Sequence, residues 1–289
     1  MITSVETVIA GTLELDGGAM FGVVPKSVWE KAYPPEAGSN LCTWATRCLL
    51  IRTDDGRNIL VDTGVGDKDD DRFRRHFNPS LPQTLTSHLR SRLLEPEAIT
   101  DVLFTHLHFD HVGGASYLDT SGKSQLTFPN ATHWVTDQHW KWAATPNPRE
   151  AASFLPTNLD PLKHSGKLRY LSAERDDYEW LPGISLRTVH GHTAAMQLPL
   201  IDLPDGRRLV YCADLLPSAA HLSLPWVMAF DIRPLDTLAE KERLIAEAFA
   251  GGWTLLLEHD ARIAGGTLRH DDRGRTVWAE TFEALNLEL

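Results

Sequence analysis

The sequence predicts a mixed α/β fold, with sheets lying under helices rather than a strictly alternating strand–helix–strand pattern. Three observations predict it. Short apolar runs of strand length recur along the chain; stretches of helical period lie between them; and tight-turn signals at Asp54-Asp55-Gly56 and Pro204-Asp205-Gly206 join neighbouring runs directly. The 289 residues are enough to bury a large core without disulfide staples, and 42% hydrophobic with 23% charged residues excludes wholesale disorder.

Taken in order, strands are expected at 5–10, 47–52, 58–61, 101–105, 133–135, 167–171, 184–189, 197–201, 208–212 and 253–257. Several are continuous apolar runs, as in strands covered on both faces. Helices are expected at 82–94, 136–144, 235–250 and 276–287. The third is the best marked. Asp236 can cap it, Glu240, Lys241 and Glu242 are expected to face water, and Leu238, Leu244, Ile245, Ala248 and Phe249 form an apolar stripe ended by Gly251-Gly252. Residues 130–166, rich in Trp, Pro and Asn, read either as a helical insertion or lid or as an excursion that packs on the surface, the second favoured. No repeat or linker-like tract divides the chain, which reads as a single domain over 1–289.

Composition narrows the function classes. With 28 Lys plus Arg against 39 Asp plus Glu, the net charge is −11, which disfavours nucleic-acid or anionic-membrane partners. No apolar run approaches the ~20 residues of a membrane span. The N-terminus lacks a basic n-region, and Cys42, Cys48 and Cys212 are an odd, scattered set. Together these point to the cytoplasm.

The chemistry is concentrated after the strand 101–105. His106-Leu107-His108-Phe109-Asp110-His111 places four potential metal ligands in six residues, followed by Val112-Gly113-Gly114. In extended chain His106 and His108 point to one side, and a turn at Asp110-His111 aims those side chains at a neighbouring point, so one hexapeptide can serve two ions. The glycines let the backbone turn tightly beneath the ligands. Further ligands are expected at other strand ends: His192 in His190-Gly191-His192-Thr193, Asp214 after the run 209–213, and His259 in Glu258-His259-Asp260. None of the three cysteines lies in the motif, which argues against a closed structural zinc site. Cys212 reads as core.

This series, H-x-H-x-D-H, then G-H-T, a bridging Asp and a late His, with Leu60-Val61-Asp62-Thr63-Gly64 upstream, resembles the metallo-β-lactamase-fold metal-dependent hydrolases over nearly the whole chain. The stretches Leu15–Gly22, Ala213-Asp214-Leu215-Leu216-Pro217 through His221, and Trp226–Asp231 are most similar to the branch holding methyl-parathion-hydrolase-like enzymes and N-acyl-homoserine-lactone lactonases. The resemblance implies a four-layer αββα sandwich. It implies that His106, His108 and His192 bind one metal, that Asp110, His111 and His259 bind a second, and that Asp214 bridges them. Asp62 would position the ligand loop. His221 would stand behind the ligands or face the substrate, and Phe21, Trp29, Phe109, Trp140, Trp226, Met228 and Phe230 fall on segments that cover the site. Pro217 stands where the lactonases place a tyrosine.

Mixed imidazole and carboxylate ligation suits Zn²⁺ and admits Mn²⁺, Fe²⁺ or Co²⁺. Two such ions roughly 3.5–4 Å apart turn a shared water into hydroxide near neutral pH. The implied activity is hydrolysis of a small hydrophobic ester or lactone, with phosphotriester cleavage as a side activity and Asp110 as proton shuttle. Alternatives on the same fold are an iron-dependent oxidoreductase of the persulfide dioxygenase type, against which the complete set of seven ligands argues, and a phosphodiesterase, against which the net charge argues. Homodimers are common in the resembling branch.

Overall fold

The apolar runs become strands of two seven-stranded sheets. A computed structural model describes residues 1–68, 71–80, 84–173 and 177–289. The chain divides into a first unit of residues 1–13, 46–174 and 286–288, and a second of 14–45, 175–285 and 289. Elements are numbered along the chain.

One sheet contains β1 (Ile2–Asp16), β2 (Leu41–Thr53), β3 (Asn58–Val61), β4 (Asp101–Leu103), β7 (Thr132–Thr136), β8 (Leu168–Leu171) and β16 (Asn286–Glu288), in the order β16-β1-β2-β3-β4-β7-β8. From β3 to β8 the pairings are parallel, with Ile59 opposite Asp101 and Asp101 opposite Thr132. Parallel neighbours need crossovers, and these are α4 (Leu85–Ser91), α5 (Phe109–Val112), α6 (Asp137–Ala144) and α7 (Pro156–His164), with the hairpin of β5 (Ser116–Leu118) and β6 (Ser124–Leu126) beside them. The short α3 (Asp71–Phe77) follows β3. Val8, Leu50, Leu60, Val102, Phe104 and Val135 form the centre of this unit's apolar core.

The second sheet is mostly antiparallel. β9 (Asp177–Leu181), β10 (Ile184–Val189), β11 (Met196–Asp202), β12 (Arg208–Tyr211), β13 (Thr254–Leu256), β14 (Gly265–His270) and β15 (Thr276–Phe282) lie in chain order across it, and only β12 and β13 pair in parallel, joined by α8 (Pro234–Gly251). The small helices α1 (Gly17–Phe21) and α2 (Lys26–Ala32) belong to the same unit. Its aromatic cluster gathers Phe21, Trp29, Tyr33 and Trp44, the last two stacked with centroids 4.2 Å apart. No helix among the described residues is long and apolar enough to cross a membrane.

Five sequence expectations are corrected. The expected helix at 276–287 is instead β15 and β16. The run Thr-Val-Trp-Ala-Glu-Thr-Phe, rich in β-branched and aromatic residues, pairs antiparallel with β14 across the Asp271–Gly274 turn. In α8, Lys241 does not face water. It is fully buried, and its ammonium donates to the carbonyls of His221, Ser223 and Trp226 at 3.0, 3.1 and 2.7 Å. A long stem lets a lysine lie within an apolar stripe when its head finds backbone acceptors. Phe249 leaves that stripe for the surface, and the helix starts at Pro234 after Arg233 rather than with Asp236 as cap. The helix expected over 82–94 forms at Leu85–Ser91 with Thr84 as its cap; Pro82 lies outside the described residues.

His133 on β7 is buried against Phe104, and burial lowers its pKa to about 4. The unfolded side chain titrates near 6.5. Between these values the unfolded state binds the extra proton, so stability falls as pH drops from about 6.5 to 4, by up to roughly 3 kcal/mol. Urea unfolding at pH 7 and pH 4.5 is expected to show a smaller difference in His133→Leu than in wild type.

Candidate metal centre

Each unit gathers its own ligand set at strand ends. In the first, the chain leaves β4 and reaches His106 within three residues. Asp62, immediately after β3, organises this ligand loop. Its carboxylate accepts the Thr105 backbone N–H at 2.8 Å, the Thr105 hydroxyl at 2.7 Å and the His111 Nδ1–H at 3.1 Å. Asp62 has φ +57°, an unfavourable backbone region for a side-chain-bearing residue, held here by those three bonds. Because Thr105 gives its proton to Asp62, its oxygen accepts from His106 Nδ1 at 3.0 Å. Both imidazoles are thereby set in the Nδ1–H tautomer, with the Nε2 lone pair directed the other way.

His108 Nε2 lies 3.5 Å from buried Glu150, and its Nδ1 is 3.1 Å from His106 Nε2. Glu150 is fixed in turn by the indole N–H of Trp142 at 2.7 Å and the Asn147 amide at 2.6 Å. Between His106 and His108, the Leu107 N–H donates to His139 Nε2 at 2.8 Å. With His106 in that tautomer, its Nε2 lone pair accepts at hydrogen-bond distance from His108 Nδ1. Asp110 and His111 sit in α5, with Asp110 Oδ1 3.9 Å from His111 Nε2.

Gly113 takes an ordinary helical φ of −57°, so tight turning is not why glycine is needed there. Space is: a Cβ would lie 1.8 Å from the Val65 carbonyl oxygen, and at Gly114 it would lie 2.2 Å from that of Thr63. The two glycines let the segment after the ligands lie against the 63–65 loop, where Thr63 N–H and hydroxyl both donate to the His111 carbonyl.

In the second unit, His192 and His259 flank Asp214. His192 Nε2 is 3.0 Å from Asp214 Oδ2, and His259 Nε2 is 2.8 Å from Asp214 Oδ1. Their far nitrogens are held by Asp231 at 2.9 Å and by the Ala45 carbonyl at 2.8 Å. Burial disfavours a charged His192, but Asp214 and Asp231 outweigh it and push its pKa up to about 10. Ala213, just before Asp214, has φ +43°. The Gly191 loop is gripped by α8: Glu240 accepts the N–H groups of His190 and Gly191 at 2.7 and 3.0 Å, and a Cβ on Gly191 would lie 2.2 Å from the Thr237 nitrogen.

His221 is committed on both nitrogens. Nε2 donates to the Met20 carbonyl at 2.8 Å, Nδ1 accepts from Ser218 at 2.7 Å, and the ring stacks on Phe21. Burial lowers its pKa to about 3, so it is neutral and ties the 218–221 turn to α1. Phe21, Trp29 and Met228 are buried in the aromatic cluster with Trp226 against it, while Phe230 is exposed. Trp140 packs on the first unit's core, and Phe109 lies beneath Phe73 and Phe77. Sequence reading did not assign Thr105, His139, Glu150, Asp231 or Glu240. Thr105 abuts the hexapeptide, and the Thr136 cap three residues before His139 was a helix-start signal; the other three are set by long-range packing alone.

The sequence of residues 43–285 matches the model of the metallo-β-lactamase superfamily. The chain belongs to that superfamily. The two seven-stranded sheets with their helices agree with the superfamily's fold. Over 169 residues the chain is 27% identical to the N-acyl homoserine lactonase AttM of Rhizobium radiobacter, covering 57% of this chain and 60% of that protein. It thus spans under two thirds of the length of that curated relative. A crystal structure of a probable metal-dependent hydrolase from Staphylococcus aureus is 30% identical, with TM-score 0.82 over 96% of this chain and 97% of the other. AidC, a dizinc quorum-quenching lactonase, shares the fold at 19% identity, with TM-score 0.76 over 96% of this chain and 94% of its own.

Asp62→Ala leaves three buried donors without their acceptor. Urea unfolding is expected to show a loss of roughly 3–5 kcal/mol; a loss below about 1 kcal/mol would remove Asp62 from this role.

Proposed function

We propose that the protein is a dinuclear metal-dependent hydrolase of hydrophobic esters or lactones, with phosphotriester cleavage as a side activity. The observation that carries this reading is the gathering of buried imidazoles and a carboxylate at strand ends, with His106 Nε2 3.1 Å from His108 Nδ1 and Asp214 3.0 and 2.8 Å from His192 Nε2 and His259 Nε2. In this reading His106, His108 and His192 hold one ion, Asp110, His111 and His259 hold a second, and Asp214 serves both. Zn²⁺ fits the donor set, as do Mn²⁺, Fe²⁺ and Co²⁺. When bound, such a pair activates water near neutral pH and stabilises charge on the attacked group.

The chain's own residues orient and move protons. Asp62 and Thr105 fix His106 and His111, and Asp231 fixes His192. Asp110 takes the proton released by the attacking water and returns it to the leaving oxygen. Pro217, three residues after Asp214, accepts the His259 N–H on its carbonyl at 3.0 Å, so that position braces a ligand and offers no hydroxyl to a substrate carbonyl. Substrates with good leaving groups, aryl esters among them, are therefore expected to be cleaved faster than N-acyl homoserine lactones.

A cleft of about 750 Å³ in the first unit, within the range of small-molecule sites, offers apolar walls at Phe73, Phe77, Leu155 and Pro156 beside the cationic Lys68, Arg72 and Arg75. Both phenylalanines pack on Phe109, the residue after His108, with centroids 5.1 and 4.8 Å away.

The test is elemental mass spectrometry on protein purified without added metal, paired with an ester, lactone and phosphotriester panel. Near two equivalents of zinc, manganese or cobalt are expected, with hydrolysis lost on chelation and restored by metal. Asp231→Ala is expected to weaken metal binding about 10- to 100-fold, and Asp214→Ala to reduce kcat/KM by more than about 100-fold. One equivalent of iron with oxygen uptake on a persulfide would overturn the reading.

A further inference from the structure

The three arginines of α3 divide between two tasks. Arg74 donates to the Asp67 carbonyl at 3.5 Å. Arg72 and Arg75, three residues apart and so on one face of the helix, line the first unit's cleft of about 750 Å³. Among the described residues neither of these two guanidinium groups has an ion-pair partner, and the described lining holds no carboxylate. Lys68 adds its charge to the same wall while its ammonium donates to the Gly113 carbonyl and to Ser116. The rest of the wall is apolar at Phe73, Phe77, Leu155 and Pro156. Through Phe109, on which both phenylalanines pack, that wall reaches the segment between His108 and Asp110. In a chain of net charge −11, a cationic cleft beside candidate ligands is a local reversal of sign.

We infer that this cleft binds an amphipathic anion, and that the preferred substrate is an apolar ester or lactone carrying a carboxylate remote from the bond that is cleaved. The apolar body lies against Phe73, Phe77, Leu155 and Pro156, and Arg72 and Arg75 hold the carboxylate. As a substrate assignment this rests on the hydrolase reading above; as a binding site it rests on the cleft alone. A guanidinium presents its N–H groups as a planar fork that matches a carboxylate, and a charge-assisted pair of this kind is stronger than a neutral hydrogen bond. Both arginines are exposed, so the carboxylate keeps part of its hydration and escapes the full cost of burying a charge. Asp67 and Asp71 are exposed on either side of Lys68, and their repulsion weighs more on a dianion. That favours a singly charged carboxylate over a phosphate monoester.

The experiment is calorimetric titration of the chelator-stripped, full-length protein with suberanilate, an apolar anilide ending in a carboxylate, and with its methyl ester. Stripping keeps the carboxylate from binding a metal ion instead. Wild type is expected to bind the acid more tightly than the ester. Replacing both Arg72→Gln and Arg75→Gln is expected to weaken the acid about tenfold and leave the ester unchanged, while Arg74→Gln changes either by less than about twofold. All three side chains are exposed, so the variants are expected to keep the wild-type melting temperature. Equal affinity for acid and ester, no binding of either, a preference that survives the double variant, or an equal loss in Arg74→Gln overturns the inference. A second arm gives the metal-loaded protein 4-nitrophenyl hydrogen suberate and its methyl ester, and the double variant is expected to raise KM for the acid about tenfold with kcat held. Hydrolysis of both without charge preference overturns the inference and leaves the hydrolase reading standing. Hydrolysis of neither, with charge-selective binding intact, overturns the hydrolase reading and the substrate assignment and leaves the anion site.

Discussion

Four buried imidazoles in this chain carry their Nδ1 protons on fixed oxygen acceptors, and the rest of the two ligand sets depends on that constraint. His106 leans on Thr105, His111 on Asp62, His192 on Asp231 and His259 on the Ala45 carbonyl. Each acceptor fixes the angle of its ring and so the direction of its Nε2, which in His192 points at the Asp214 carboxylate. His108 differs: its Nδ1 is within hydrogen-bond distance of His106 Nε2, and its Nε2 lies 3.5 Å from Glu150. The arrangement is unfavourable as a set of neutral rings and carboxylates packed together in a dry interior. It is stable to the extent that protons, or a cation, fill the gaps between them.

Backbone geometry supports these contacts at some cost. Asp62 and Ala213 hold positive φ beside ligands, and Gly113, Gly114 and Gly191 permit approaches that no side chain tolerates. In the first unit the ligand helix α5 lies against the 63–65 loop; in the second, α8 clasps the His190–His192 loop through Glu240 and Arg233. The same helix carries buried Lys241, whose three carbonyl acceptors hold the 221–226 segment. α8 is therefore a brace for the segments on both sides of Asp231.

Much of this was legible in the sequence. The candidate ligand residues are short-range patterns at strand ends, and strands such as β3 and β10 are continuous apolar runs whose limits are read directly. What was not legible depends on distant contacts. Glu150, Asp231 and Glu240 look like surface acids until folding brings them to His108, His192 and the Gly191 loop. Lys241 has the charge of a solvated face, and only the three carbonyls that converge on it make burial tolerable. The segment 276–287 has enough Ala, Glu and Leu to read as a helix, yet pairing with β14 overrides local propensity. His221 shows the converse: a histidine close to the ligands in sequence whose nitrogens are both spent on holding the backbone.

The proposed dinuclear reading seats a pair of ions among these nitrogens and carboxylates. Anomalous X-ray scattering from crystals of the metal-loaded protein tests this most directly. It predicts two peaks, one bounded by His106 Nε2, His108 Nδ1 and His192 Nε2, the other by Asp110, His111 Nε2 and His259 Nε2, with Asp214 reaching both. A single peak, or peaks away from these nitrogens with His106 and His108 still facing each other at hydrogen-bond distance, would contradict it.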